Sequence, residues 1–226
     1  MVNEIYKIIF AIIIPLLLKV IWTKCAKRKL EKDKKAVLLS FLTILLLAIY
    51  FEYLGPRYSS MIIKNKTSML IHNTKWISYD PSEFNPIKKT IPSDSSINKD
   101  LLVLKKAGFE GIITFNSNNY MRTVPELAKT YNLKVIVGIW DPKNKSEIAN
   151  AISVKNFVEG YCIGHNGLNN EYTYNELLNA IDILKSKTLK PVTTTESIDT
   201  YYKDHRLKKI VDWYLPDTYP PITKGV

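Results

Sequence analysis

Cysteine is nearly absent from this chain: Cys25 and Cys162 are the only two in 226 residues, and they fall in different regions. That excludes a disulfide framework and a cysteine-built metal site. It leaves two small thiols, read as buried or membrane-edge residues. Histidine is as scarce, and His72, His165 and His205 are too scattered to suggest zinc. A glycine-rich phosphate turn is also missing. After the first strand-like run, Trp76–Tyr79, comes Asp80-Pro81-Ser82-Glu83-Phe84-Asn85-Pro86, which has no glycine to cradle a dinucleotide. Acidic residues are few in the first third, with four Asp/Glu against twelve Lys/Arg over residues 1–66.

What is present divides near Gly55-Pro56. The first 66 residues carry a balance of +8, the remaining 160 only +3, and the whole chain +11. The basic excess therefore belongs to the apolar N-terminal part. A nucleic-acid groove would need basic residues along one face of the folded domain, so nucleic acid is not expected as a partner.

Two apolar runs lie in that N-terminal part, Ile5–Trp22 and Ala36–Leu54. A spanning helix needs about 20 mostly apolar residues. The second run has one acid, Glu52, near its end. The first contains Lys7, Lys19 and Pro15, with both lysines close enough to its ends for their stems to reach an interface. Trp22, Tyr50 and Tyr53 fit an aromatic belt. Between the runs lies a segment with seven Lys/Arg over Lys24–Lys35. The positive-inside rule puts such a loop in the cytoplasm. The expectation is a two-helix transmembrane hairpin over residues 1–55 (helices about 5–22 and 36–54), a linker over 56–74, and a domain over 75–226. Both termini and the domain would then be extracytoplasmic, in a multi-pass protein with the membrane as a partner. A signal peptide over residues 1–23 is the rival, but no small-residue cleavage site follows it. One spanning helix with one interfacial helix is the other alternative.

From Lys75 onward, short β-rich runs alternate with amphipathic helices. The strands are expected at Trp76–Tyr79, Gly111–Phe115, Lys134–Ile139, Gly160–Ile163, Pro191–Thr195 and Trp213–Leu215. They are continuous apolar or β-branched runs, as parallel strands covered on both faces should be. Helices are expected over Ile97–Ala107 (stopped by Gly108), Thr123–Tyr131, Ser146–Phe157, Thr173–Lys187 and Ser197–Ile210. Thr123-x-x-Glu126 and Thr173-x-x-Glu176 have the spacing of a capping box. The unit length matches a βα repeat. An open doubly wound sheet is possible, but with no phosphate turn the pattern favours a (β/α)8 TIM-barrel type, incomplete at the C-terminus.

Polar and aromatic residues gather at the expected strand ends: Tyr79-Asp80, Asn116–Asn119, Trp140-Asp141, His165-Asn166, Thr195-Glu196 and Asp217-Thr218-Tyr219. Barrel active sites are built at this rim. The set is poor in Lys and Arg, which phosphate handling would require. Carboxylates and amides that bond hydroxyls, with aromatic faces for sugar rings, suit a carbohydrate cleft. Asn116–Asn119 and Ser146 read better as caps or loop residues. Trp140, Asp141, Asn166 and Glu196 read better as site members.

The strings WISYDPSEFNP, INKDLLVLKKAGFEGIITFNS, LKVIVGIW, GYCIGHNGL, LKPVTTTES and VDWYLPDTYPP resemble the bacterial branch of glycoside hydrolase family 17, the β-1,3-glucanase barrels. The resemblance covers roughly residues 75–221 and lies in the order and spacing of the motifs. It implies a retaining hydrolase or transglycosylase on β-glucan, working with two glutamates and without metal or cofactor. The family's strand-four motif is Gly-Asn-Glu; here it is Gly164-His165-Asn166, so Asn166 stands at the acid/base position. An amide can bond a glycosidic oxygen but cannot protonate it usefully. The nucleophile, expected on a seventh strand, is not in the chain, which points to a fragment. Glu171 and Glu196 are nearby acids to which the resemblance gives no catalytic role. Substrate-binding residues are expected to be Tyr79, Asp80, Trp140, Asp141, His165, Glu196, Asp217 and Tyr219. A catalytically inactive carbohydrate-binding relative, or a subunit of a glucan synthesis or export complex, are the alternatives.

Overall fold

A computed structural model describes Lys19 and residues 31–50, 55–85, 87–88 and 90–218. The chain divides into two compact units, Met1–Ser60 and Met61–Val226.

In the first unit the described structure is helical: α1 (Glu31–Ile49) is followed by the start of α2 (Gly55–His72). The expected transmembrane hairpin is not supported. No helix among the described residues is long and apolar enough to cross a membrane. The reason is visible in α1, which begins inside the segment read as a basic loop. Its first five residues, Glu31-Lys32-Asp33-Lys34-Lys35, are charged, so 14 of its 19 residues remain apolar or small. At 1.5 Å per residue that is roughly 21 Å, against a hydrocarbon layer of about 30 Å. The multi-pass, extracytoplasmic localisation drawn from the hairpin loses its basis with it. The first expected span, 5–22, lies outside the described residues apart from Lys19. Within the segment expected as a linker, residues 55–72 are helical, with Pro56 in the first turn, where its missing N–H costs nothing.

The second unit is an α/β domain on a five-stranded, all-parallel sheet in the order β1-β2-β3-β4-β5. The strands are β1 (Trp76–Tyr79), β2 (Gly111–Thr114), β3 (Lys134–Ile139), β4 (Gly160–His165) and β5 (Val192–Thr195). Each pairs with the next in sequence, from Trp76 opposite Gly111 to Cys162 opposite Thr193. The connecting helices are α3 (Asp94–Lys106), α4 (Val124–Thr130), α5 (Lys145–Ser153) and α6 (Tyr174–Thr188), with α7 (Ile198–Lys203) and α8 (Leu207–Ile210) after β5. An order without reversal, with right-handed crossovers, lays these helices on one face, so the sheet is singly wound.

Local chemistry explains the elements. Helix α6 opens on a complete capping box, in which Thr173 accepts from the Glu176 N–H and Glu176 accepts from the Thr173 N–H. It buries Leu177, Ile181 and Leu184 one turn apart, each contributing roughly 1.5–3 kcal/mol. Helix α3 starts at Ser93, whose side chain accepts from the Ser96 N–H, and stops at Gly108, where φ is +83°. Thr123 does not cap α4; a 3-10 turn over Asn119–Arg122 precedes it, and its hydroxyl bonds the Tyr120 carbonyl at 2.9 Å.

The period of two assigns the sheet's faces. Ile77, Ile112, Val135, Val137, Ile139, Tyr161, Ile163 and Val192 join the core beneath the helices. Trp76, Ile113, Ile136 and Cys162 face the other way, against Ile71 of α2 and Trp213 and Leu215 of the last segment. At Gly138 a Cβ would lie 1.9 Å from the Thr114 carbonyl oxygen, so the β2–β3 approach admits only glycine.

The sixth expected strand is corrected as well. The described strands of the expected incomplete barrel are five in sequential order, forming an open sheet among the described residues, and Trp213–Leu215 is not a strand. That segment runs beside β5 on a mixture of main-chain and side-chain hydrogen bonds, the Asp212 N–H donating to the Val192 carbonyl at 2.9 Å. The Val192 N–H donates to the Asp212 carboxylate (2.9 Å), the Thr193 hydroxyl to the Trp213 carbonyl (2.6 Å), and the Asp217 N–H to the Glu196 carbonyl (2.9 Å). Asp212 and Thr193 side chains take two of the ladder positions there, and Pro216 has no N–H to offer.

Candidate functional site

The carboxyl ends of β1 to β5, on the face without α3–α6, enclose a cavity of about 380 Å³. Phe115, Gly138, Cys162, His165, Thr195 and Asp217 are among its lining residues. Parallel strands bring their last residues to one edge, which is why positions distant in sequence meet here.

His165 ends β4 with its imidazole between two aromatic rings. The Trp140 ring lies 4.8 Å away, tilted by 31°, and the Phe115 ring 6.4 Å away, edge-on. Its Nε2 is 3.8 Å from Asp217 Oδ2. Trp140 is 42% exposed, so part of its face stays open to solvent. Asn166 follows in the left-handed region, at φ +51°, a conformation asparagine tolerates better than most residues. Its backbone N–H donates to the Thr195 carbonyl (2.9 Å) and its side-chain amide to Asp217 Oδ2 (2.5 Å). The amide oxygen is buried without a hydrogen-bond partner.

Glu196 stands behind this group. It is 1% exposed, and its Oε1 accepts from the Tyr172 hydroxyl at 2.5 Å. Burial pushes its carboxyl above the usual range, against the opposing pull of Tyr172 and of the Leu168 and Gly167 N–H groups. Tyr172 in turn is raised by burial and by the neighbouring Glu196. Cysteine 162 touches the Thr195 hydroxyl at 2.8 Å, and burial pushes its thiol up to about 12, so it stays protonated.

Of the residues expected from sequence, His165 and Asp217 line the cavity; Asn166 bonds Asp217 and Trp140 packs against His165, and neither of those two is among the lining residues. Glu196 is adjacent but points into the protein. Tyr79 belongs to the core under the helices, its hydroxyl 3.2 Å from Asp100 of α3. Asp80 is exposed beside it and is not among the cavity-lining residues. Asp141 shapes a turn by accepting from the Lys143 N–H at 2.9 Å. Asn116 does the same for Asn118 at 3.0 Å, in keeping with a loop role. Tyr219 lies outside the described residues.

Sequence reading missed two supports. Glu147 of α5, 1% exposed, accepts from the backbone N–H groups of Trp140 (2.8 Å), Asp141 (3.3 Å) and Ser117 (3.4 Å). It thereby ties the ends of β2 and β3 together. Burial raises its pKa despite those three donors. A signal was present: Asn144 caps α5 and Glu147 follows at the capping-box spacing. Tyr172, the partner of Glu196, carried none, because only the fold brings residues 172 and 196 together.

Chemically, the cavity presents one carboxylate, one imidazole and the Phe115 ring, with the Trp140 ring beside His165 and the Asn166 amide bonded to the carboxylate. Such a set can bond hydroxyls and lie against a sugar ring. Comparison with known proteins gives no matching family model and no matching curated protein.

Proposed function

We propose that the cleft at the strand ends binds β-glucan, as part of a protein of the glycoside hydrolase family 17 type, and that the described residues hold the sugar without cleaving it. The observation that carries this reading is a cavity lined by Asp217, His165 and Phe115, with Asn166 bonded to Asp217 behind it and the partly exposed Trp140 against His165. The Asp217 carboxylate and the His165 imidazole supply polar partners for hydroxyls, and the exposed Trp140 face supplies apolar area for a pyranose ring. Hydrolysis with retention needs a proton donor and a nucleophile with carboxyls about 5–5.5 Å apart. Asn166 cannot donate a proton at useful pKa, and Glu196 is buried behind Tyr172.

A second reading, hydrolysis or transglycosylation, is favoured by Asp217. It places a carboxylate on the cavity wall next to the acid/base position. The two readings separate in one experiment. The full chain is incubated with a laminarin-type β-1,3-glucan, and both binding and the appearance of reducing ends or altered chain lengths are measured. Binding with no new ends is the expected result. New ends or new lengths would establish the second reading, and no binding at all would overturn both.

A further inference from the structure

Glu196 has no direct role in the proposed cleft, yet it is buried beside it, 1% exposed. Its carboxyl faces away from the cavity, toward the loop that follows β4. There Tyr172 donates to it at 2.5 Å, while the Gly167 N–H points to the Tyr172 oxygen at 3.3 Å. The loop is tightly drawn around this ring. A Cβ on Gly164 would lie 2.3 Å from the Tyr172 oxygen, and one on Gly167 would lie 2.4 Å from its ring. Gly164 and Asn166 both adopt positive φ, at +81° and +51°. The chain thus makes two left-handed steps within three residues to wrap the tyrosine. On its backbone side, the Glu196 carbonyl accepts from the Asp217 N–H at 2.9 Å.

We infer that Glu196 is a positioning residue for the cleft, holding the Asn166 loop through Tyr172 with its carboxyl and holding Asp217 with its carbonyl. Both members of the Asn166–Asp217 pair then take their places from one residue that contacts no ligand. The inference rests on the glucan reading for its functional meaning, but its structural content stands apart from it. The alternative is a satisfied core carboxyl whose removal loosens the fold generally and leaves the geometry at Asn166 unchanged.

The test uses the full chain and three variants, E196A, E196Q and Y172F. Two readouts are taken: the side-chain amide resonances of Asn166 by NMR, and affinity for a β-1,3-linked glucose hexamer. E196A and Y172F are expected to shift the Asn166 amide resonances and to weaken hexamer binding about tenfold, a loss within the range of one hydrogen-bonded contact. E196Q keeps an oxygen for Tyr172 and is expected to return affinity to within about threefold of the parent. Unmoved Asn166 resonances in folded Y172F, or an E196Q as weak as E196A, would overturn the inference. If the parent chain binds no hexamer, the glucan reading fails, and the Asn166 resonances in Y172F and E196Q still decide whether Glu196 positions the loop.

Discussion

Asn166 and Asp217 are 51 residues apart in sequence, and the amide of the first donates to the carboxylate of the second at 2.5 Å. The contact places an uncharged donor against a charge where the resembling family would place a second carboxyl. Replacing that amide by an acid changes the electrostatics of the cleft more than its shape.

The Asn166→Glu variant is therefore expected to set two carboxyls against each other. Like charges at this distance force one of them to hold its proton to higher pH. Thermal stability of the variant should fall by about 1–3 kcal/mol near neutral pH relative to the parent, because a charge-assisted bond is replaced by repulsion. The loss should shrink as pH is lowered and the shared proton is retained. A melting-temperature series from pH 4 to pH 8 checks the sign, and reducing-end release by the same variant asks whether the retained proton can serve hydrolysis.

Trp140 can be removed at little structural cost. Its ring is partly exposed and rests on His165, outside the main core. Trp140→Ala should weaken glucan binding about tenfold, consistent with losing one aromatic face and its buried area. Its urea midpoint should stay close to that of the parent. An unchanged affinity would remove Trp140 from the cleft.

Glu147 should behave in the opposite way. Its carboxyl takes three backbone N–H groups at the ends of β2 and β3. Glu147→Ala strands one buried donor and two part-buried ones, and is expected to cost about 2–3 kcal/mol. Urea unfolding measures the loss. Glutamine in its place should recover part of it, since one acceptor oxygen remains.

Glu147 and Glu196 also give the domain a pH signature. Burial raises both above the ordinary value of 4.5. A carboxyl with a higher pKa folded than unfolded holds its proton more tightly in the folded chain. The stability it contributes is complete below the unfolded value and is lost as pH rises through the folded value. Unfolding free energy should therefore decline over that window above pH 4.5, and Glu196→Gln should flatten part of the decline.

Gly138 offers a purely steric check. With the Thr114 carbonyl 1.9 Å from where its Cβ would sit, Gly138→Ala cannot be absorbed by a flexible side chain. The expected loss is at or beyond the upper end of the roughly 1–3 kcal/mol typical of overpacking, read from the same urea transition.

Much of the second unit was legible in the sequence. Trp76–Tyr79 and Lys134–Ile139 are strands over the expected residues, because runs of β-branched and aromatic side chains need cover on both faces. Thr173 and Glu176 form the capping box that their spacing announced. Other features depend on partners that sequence distance conceals. Trp213–Leu215 has strand composition, but Thr193 and Asp212 side chains hold it where a ladder would be. Ala36–Ile49 has the composition of a span, but the helix it belongs to begins with five charged residues. Of the cleft, His165, Asn166 and Asp217 were legible as strand-end polar residues. The roles of Tyr172 and Glu147 were not, since each is defined by a contact made only after folding.

The strand order carries one more consequence. Because each described strand bonds to its neighbours in sequence, the sheet can be laid down in the order in which a ribosome delivers it. Each new strand finds its docking edge already made, and no early strand must wait exposed for a partner from the far end of the chain. Closure of the cleft comes last in that order. Asp217 reaches Asn166 only when residue 217 has emerged, so a nascent chain arrested before that point would hold a formed sheet and an unformed site.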